Sequence, residues 1–286
     1  MHYRYAALCI FDAEYCLAEG GSIIRRGGKL NRTMISTSEK IPYAVRLVAR
    51  GVAGHGSVPL LTNPVVHLSK AVAKVADWQT PMRLNDTTRA YFERLATIST
   101  PEQAARYNGI VNPDKADAIQ EYFREHEPRH HSMLRTSISP NIVTGGFRVN
   151  VIPSTAEATL DIRALPDENM ESFLAELRRR VDDPNVEIVR TQRDTRPGAP
   201  PSRLDSEVFR AIETAQKRYF PGAVSIPTMQ TGATDMAYLR ARGVQSYGLG
   251  PMIDEEDGPK GFGAHSDQER ILEEALYSFV EYHWAI

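Results

Sequence analysis

The chain has 286 residues, 42% of them hydrophobic and 24% charged, and a formal net charge of -2 from 34 Lys plus Arg against 36 Asp plus Glu. That composition supports one large or two ordinary globular domains with real cores, and it excludes a global electrostatic pull toward nucleic acid or an anionic membrane. No apolar stretch approaches the roughly 20 residues of a membrane-spanning helix, and two cysteines, Cys9 and Cys16, make no disulfide framework and read as buried thiols.

Residues 5–18 form an apolar run broken by Asp12 and Glu14, the pattern of a strand feeding a loop at Glu19-Gly20-Gly21, where glycines let the backbone approach another group closely. The apolar start is too short, and too soon followed by acids, to read as a signal peptide; the compartment stays open, with the cytoplasm as the default for this chain and any signal segment expected ahead of Met1. Residues 43–50 alternate as a strand, and Asn63-Pro64 then opens a helix over 65–76 with apolar positions at 65, 68, 72 and 75. Residues 79–135 are polar and rich in helix formers, a helical insertion in which His126, His130 and His131 read as surface residues. Strands over 136–147 and 156–163, an amphipathic helix over 169–181 and a strand over 186–191 complete a β-α-β-β-α-β order, the ferredoxin-like arrangement.

Pro197-Gly198-Ala199-Pro200-Pro201 marks a crossing between domains. Beyond it, Asp205 or Ser206 caps a helix to about 218, Asp235 opens another to about 242, residues 244–249 are a short strand and 268–284 a terminal helix. The run Asp254-Glu255-Glu256-Asp257 reads as a solvated acidic loop.

Few residues carry chemistry on their own. Glu19 and His265 are ligand types that zinc accepts, although alone neither is specific and each reads first as a solvated loop residue. His55 sits in a glycine-flanked loop able to project its imidazole. Asn150 and Arg163 flank a strand–turn boundary at Pro153, and a guanidinium can fork a carboxylate. The plainer alternative makes Asp161 and Arg163 an exposed salt-bridging pair.

In order, Leu17-Ala18-Glu19-Gly20-Gly21, Gly54-His55-Gly56-Ser57-Val58-Pro59, Asn150-Val151-Ile152-Pro153, Asp161-Ile162-Arg163, Thr231-Gly232-Ala233-Thr234-Asp235 and Gly263-Ala264-His265 resemble the zinc-dependent aminoacylase and carboxypeptidase family, which includes carboxypeptidase S, acetylornithine deacetylase and succinyl-diaminopimelate desuccinylase. Ser38-Glu39-Lys40 and the long insertion are similar to carboxypeptidase S and the secreted N-acyl-amino-acid hydrolases. The resemblance implies an α/β fold with an α+β lid: a zinc-peptidase catalytic domain from 1–38 and 194–286, and a dimerisation domain over 39–193 with the helical insertion at about 79–135.

It also implies a homodimer that hydrolyses the amide bond of peptides or N-acyl amino acids with a free carboxylate, using a pair of zinc ions whose water a glutamate deprotonates. It assigns Glu19 and His265 to metal, His55 to the scissile carbonyl oxygen in the other copy's site, and Asn150, Arg163 and Gly232 to the substrate carboxylate, with N–H groups around Thr231 and Thr234. Asp235 reads as a helix cap. The family's His-x-Asp segment, bridging Asp and Glu-Glu pair would lie ahead of Met1, and none precedes Glu19, so the metal ligands fall short of a typical catalytic zinc. Two readings therefore stand beside hydrolysis: a dimerisation module without chemistry and a binding protein for acyl amino acids.

Overall fold

The computed structural model describes residues 12–191 and 196–286. Cys9, the front of the apolar run at 5–11 and the expected boundary at 193/194 lie outside the described residues. The chain divides into two compact units: unit 1 gathers the residues up to Glu39, Leu84–Leu134 and Ala199–Ile286, and unit 2 gathers Lys40–Arg83 and Arg135–Gly198.

Unit 2 contains β4 (Ile41–Arg50), β5 (Gly54–His55), α1 (Pro64–Asp77), β6 (Ser137–Gly145), β7 (Val151–Ile152), β8 (Thr155–Ala164), α6 (Met170–Val181) and β9 (Val186–Arg190). Its antiparallel sheet runs β6-β8-β4-β9, the ferredoxin-like order, in register from Ile41 opposite Ala164 to Arg50 opposite Thr155. Along β8 every second residue turns inward: Ala156, Ala158, Leu160, Ile162 and Ala164 are buried. They pack with Val45, Leu47, Leu68, Val75, Leu174 and Leu177 in one core, where each buried leucine contributes roughly 1.5–3 kcal/mol. Asn169 caps α6 by accepting from the Ser172 N–H at 2.9 Å.

Asn63 likewise caps α1 by accepting from the Val65 N–H at 3.0 Å, with Pro64 in the first turn. The inward stripe of α1 is Pro64, Leu68, Ala71 and Val75. Val65, expected to face the core, is 36% exposed because Pro64 occupies the inward position at the start of that stripe.

Unit 1 contains β1 (Tyr15–Ala18), β2 (Ser22–Arg26), β3 (Lys29–Glu39), α2 (Asp86–Ala96), α3 (Pro101–Gly109), α4 (Pro113–His126), α5 (Pro128–Met133), α7 (Glu207–Tyr219), β10 (Val224–Gln230), α8 (Met236–Arg240), β11 (Gln245–Gly248), β12 (Met252–Asp254) and α9 (Glu273–Trp284). The sheet runs β1-β11-β3-β2-β12, with β10 pairing β3, over a core of Ile23, Ile35, Phe209, Ile212, Tyr247 and Tyr282. At Gly21 a Cβ would lie 2.4 Å from the Gly248 carbonyl oxygen and 2.5 Å from that of Met34, so only glycine permits this backbone approach. Among the described residues no helix is long and apolar enough to cross a membrane.

Several local expectations change. The helical segment assigned by sequence to the dimerisation domain belongs, over 84–134, to unit 1. It is held there by α2, whose Thr87 hydroxyl meets that of Thr37 on β3 at 2.8 Å, and whose Arg94 bonds Glu213 at 2.5 Å and the Ser225 carbonyl at 2.9 Å. The acidic run 254–257 is not merely solvated. Asp254 grips Arg25 at 2.5 and 2.9 Å, Glu255 bridges Arg26 and Arg32, Glu256 accepts from the Gly27 N–H, and Asp257 holds Arg270. Asp235 precedes α8 without a side-chain capping bond, and the Thr234 hydroxyl accepts from the Met236 N–H at 3.2 Å instead. The terminal helix begins at Glu273 rather than at 268.

Candidate substrate-recognition site

Beyond the end of the sheet of unit 2, β5 and β7 continue the antiparallel pairing, with Gly54 opposite Ile152 and His55 opposite Val151. The Gly56 N–H donates to the Asn150 carbonyl at 2.8 Å, so the His55 and Asn150 segments, far apart in sequence, are neighbours in space. A Cβ on Gly56 would sit 3.3 Å from Asn150 Cα, which explains the small residue. His55 is exposed, and its Nδ1 accepts from the Ser57 N–H at 3.2 Å with the Ser57 hydroxyl 2.7 Å away. A backbone amide only donates, so the proton of a neutral His55 sits on Nε2, turned outward as a donor. An open cavity of about 580 Å³ adjoins this ladder, lined in part by Gly56, Asn63, Phe147 and Val149.

Arg163 lies at the other end of β8, where Ser137 and Pro42 face it across the ladder. Its guanidinium rests on Asp161 of the same strand at 2.9–3.2 Å, each side chain about one-third exposed. The fully buried Lys40 donates to the Ser137 hydroxyl at 2.8 Å. Burial first, then the nearby Arg163 and Arg135, push the Lys40 amine down to about 7. This end of the sheet is a cationic corner.

The resemblance implies that Asn150 and Arg163 hold one substrate carboxylate. The register separates them: at about 3.3 Å per residue, the strand from Thr155 to Arg163 spans about 26 Å, and the β5–β7 ladder extends further from its Thr155 end. Within one protomer, Arg163 and the His55–Asn150 ladder do not share a ligand.

In unit 1, Glu19 is exposed just past β1, and His265 is exposed in a loop with φ +69° and its N–H directed to Glu269 at 3.3 Å. Among the described residues no group of three or more His, Cys, Asp or Glu side chains is placed to hold a metal ion. The described residues therefore do not fit the zinc site that the resemblance implies. Gly232 is exposed between β10 and α8 with open space around it.

The Thr234 N–H, expected near a substrate carboxylate, is already committed to Glu39 at 2.9 Å, and the Thr234 hydroxyl bonds the same side chain. Arg240 completes this buried knot at 3.2 Å, with Glu39 and Arg240 only 5% and 3% exposed. In the sequence Glu39 stands out only within Ser38-Glu39-Lys40. Its partners come from distant positions, and the one local signal was a carboxylate at the end of a strand.

The peptidase dimerisation domain matches residues 41–189, just over half of the chain. This chain belongs to the M20 peptidase family. The M20 chain is similar to probable carboxypeptidase S-like 2 of Dictyostelium discoideum, with 23% identity over 252 residues covering 87% of this chain and 47% of that protein. It is also similar to the N-fatty-acyl-amino acid synthase/hydrolase PM20D1 of Homo sapiens, with 26% identity over 257 residues covering 87% of this chain and 49% of that protein. It thus spans about half the length of the curated relatives it matches. Its fold matches the M20 family metallo-carboxypeptidase Sso-CP2 from Sulfolobus solfataricus with a TM-score of 0.69 at 15% identity, over 99% of this chain and 65% of that one.

Proposed function

We propose that this M20 chain recognises peptides or N-acyl amino acids through their free carboxylate and acts as a homodimer in metal-dependent hydrolysis of their amide bond. The observation that carries this reading is the separation along β8. Arg163 and His55 can act on one substrate only when they come from different copies, which is what a two-fold dimer supplies.

The surface supports such pairing. Strand β6 is an edge of the sheet of unit 2, with Ile142 and Val143 57% and 63% exposed, and Val65 and Val66 of α1 are also exposed. An apolar edge strand is a ready template for a second copy, and pairing there would cover it.

In this arrangement Arg163 exchanges part of its hold on Asp161 for the substrate carboxylate, the nearby Lys40 and Arg135 add positive potential, and the Asn150 amide donates from the second copy. The second copy's His55 offers Nε2–H to the scissile carbonyl oxygen. A donor aimed where negative charge develops is worth about 2.7–4 kcal/mol in acyl transfer. Zinc would supply the hydrolytic water in an M20 enzyme. Because Glu19 and His265 stand without a third ligand among the described residues, no step through zinc is assigned to them. That same observation favours a second reading, a dimerising and carboxylate-binding module without turnover.

Calorimetric titration of the chain with an N-acetyl amino acid and with its uncharged amide tests the proposal, alongside sedimentation of the parent and Val143→Lys. The acid should bind and the amide should not, and Val143→Lys should shift dimer toward monomer. Equal binding of acid and amide, or a parent that sediments as a monomer, would refute it.

A further inference from the structure

The short helices of unit 1 close around His130. Tyr91 and Phe92 of α2, Tyr107 of α3 and Phe123 of α4 place their ring centroids 5.2–5.5 Å from the imidazole, all steeply inclined to it. The side chain of His130, expected at the surface, is only 13% exposed.

Its two nitrogens are both engaged. Nδ1 bonds Glu127 at 2.5 Å, and Nε2 meets the Tyr91 hydroxyl at 2.9 Å. The Tyr107 hydroxyl donates to the same Glu127 at 3.2 Å, and Arg106 approaches that carboxylate at 3.5 Å. A carboxylate only accepts, so Nδ1 carries a proton, and in neutral His130 the Tyr91 hydroxyl donates to Nε2 and leaves its oxygen lone pairs available. The interior wall is thus an ordered polar relay inside an aromatic shell, with the Glu127 carboxylate already engaged by Arg106, His130 and Tyr107.

A cavity of about 430 Å³ opens between this wall and the β2–β3 hairpin, and Tyr91, Tyr107, Tyr122, His126 and His130 line it. Arg26 and Arg32 also line it, and both are bound to the single carboxylate of Glu255. Hydrogen bonds from Arg26, then Arg32, hold Glu255 at about 2, so it is ionised and answers one of the two guanidinium charges; Glu256 also acts on Arg26, and Glu127, on the same lining, is paired with Arg106. The volume suits a small organic ligand. Neither Glu19, Gly232 nor His265 lines the cavity.

We propose that this cavity is a binding site for a small aromatic carboxylate, with its anion on Arg32 and Arg26 and its ring against the Tyr122 and His126 side. The two guanidiniums offer charged N–H donors to a carboxylate, the rings of Tyr122 and His126 match a flat apolar body, and the Tyr91 hydroxyl gives the ligand a polar contact at depth.

The test is calorimetric titration of the full chain with benzoate, acetate and benzyl alcohol. Benzoate should bind saturably and at least about tenfold tighter than either control, since it alone offers both the charge-assisted bond and the ring. Arg32→Gln should weaken benzoate about tenfold. Glu255→Gln, which releases both arginines, should tighten it, and should do so even if Arg32→Gln melts too low to titrate. Benzoate should also shift the imidazole resonances of His130. Absence of saturation, acetate or benzyl alcohol binding as well as benzoate, undiminished binding by a folded Arg32→Gln variant, or weaker binding by Glu255→Gln would each overturn the assignment.

Discussion

Glu39 and Lys40 are adjacent in sequence and both are buried, yet they end and begin different units and meet opposite surroundings. Glu39 closes unit 1 against the guanidinium of Arg240 and two donors of Thr234, so its charge is answered on the spot. Lys40 opens unit 2 near Arg163 and Arg135, which reinforce the effect of burial and push its amine down to about 7. A buried charge in unit 1 serves the fold. In unit 2 burial and two guanidiniums outweigh the pull of Asp161 on the Lys40 amine, so protonating it carries an electrostatic cost.

The comparison breaks first at Glu39. Glu39→Ala leaves Arg240 buried without its carboxylate and should destabilise the chain by about 3–5 kcal/mol in denaturant unfolding. A loss within the noise of a surface substitution would show that the knot does not matter.

Lys40→Met should act in the other direction. The native amine titrates near 7, whereas an unfolded lysine titrates near 10.4. Between those values the unfolded chain binds a proton that the native chain does not, so stability falls as pH drops from about 10 to about 7 and the cost persists below that. Removing the amine should raise stability at pH 7 by an amount of the order of 4 kcal/mol, with the gain fading toward pH 11. A variant no more stable at pH 7 than the parent would contradict the account of the corner.

His67 of α1 gives the smallest effect. Its hydrogen bond to Asp183 at 2.6 Å holds the imidazole above the usual histidine range. A raised native value stabilises below the unfolded value near 6.5 and loses that contribution as pH rises through the native one. His67→Gln should therefore cost at most about 1 kcal/mol at pH 5.5 and nothing measurable at pH 9, as followed by thermal melts.

What the sequence shows well is local. The alternation of β8 and the Asn63 and Asn169 caps follow from neighbours in the chain, and they recover the whole β-α-β-β-α-β order of unit 2. Ownership of residues 84–134 is not local, because it depends on Thr87 and Arg94 finding β3, α7 and the carbonyl of Ser225 on β10. His130 reads as a surface residue because its four aromatic neighbours are spread over three helices. The motifs around His55, Asn150 and Arg163 are legible as residue types. Their separation is not, because it depends on the strand register that runs Arg163 and the His55 ladder to opposite ends of β8.

The most direct test of recognition across two copies is a mixing experiment read by N-acetyl amino acid binding, using His55→Ala and Arg163→Ala chains prepared separately. Each variant alone should bind poorly. An equilibrated equimolar mixture should recover about a quarter of the parent's sites, because each mixed dimer carries both substitutions in one site and neither in the other. A mixture that binds no better than its components would contradict the claim that one site draws on two copies of this chain.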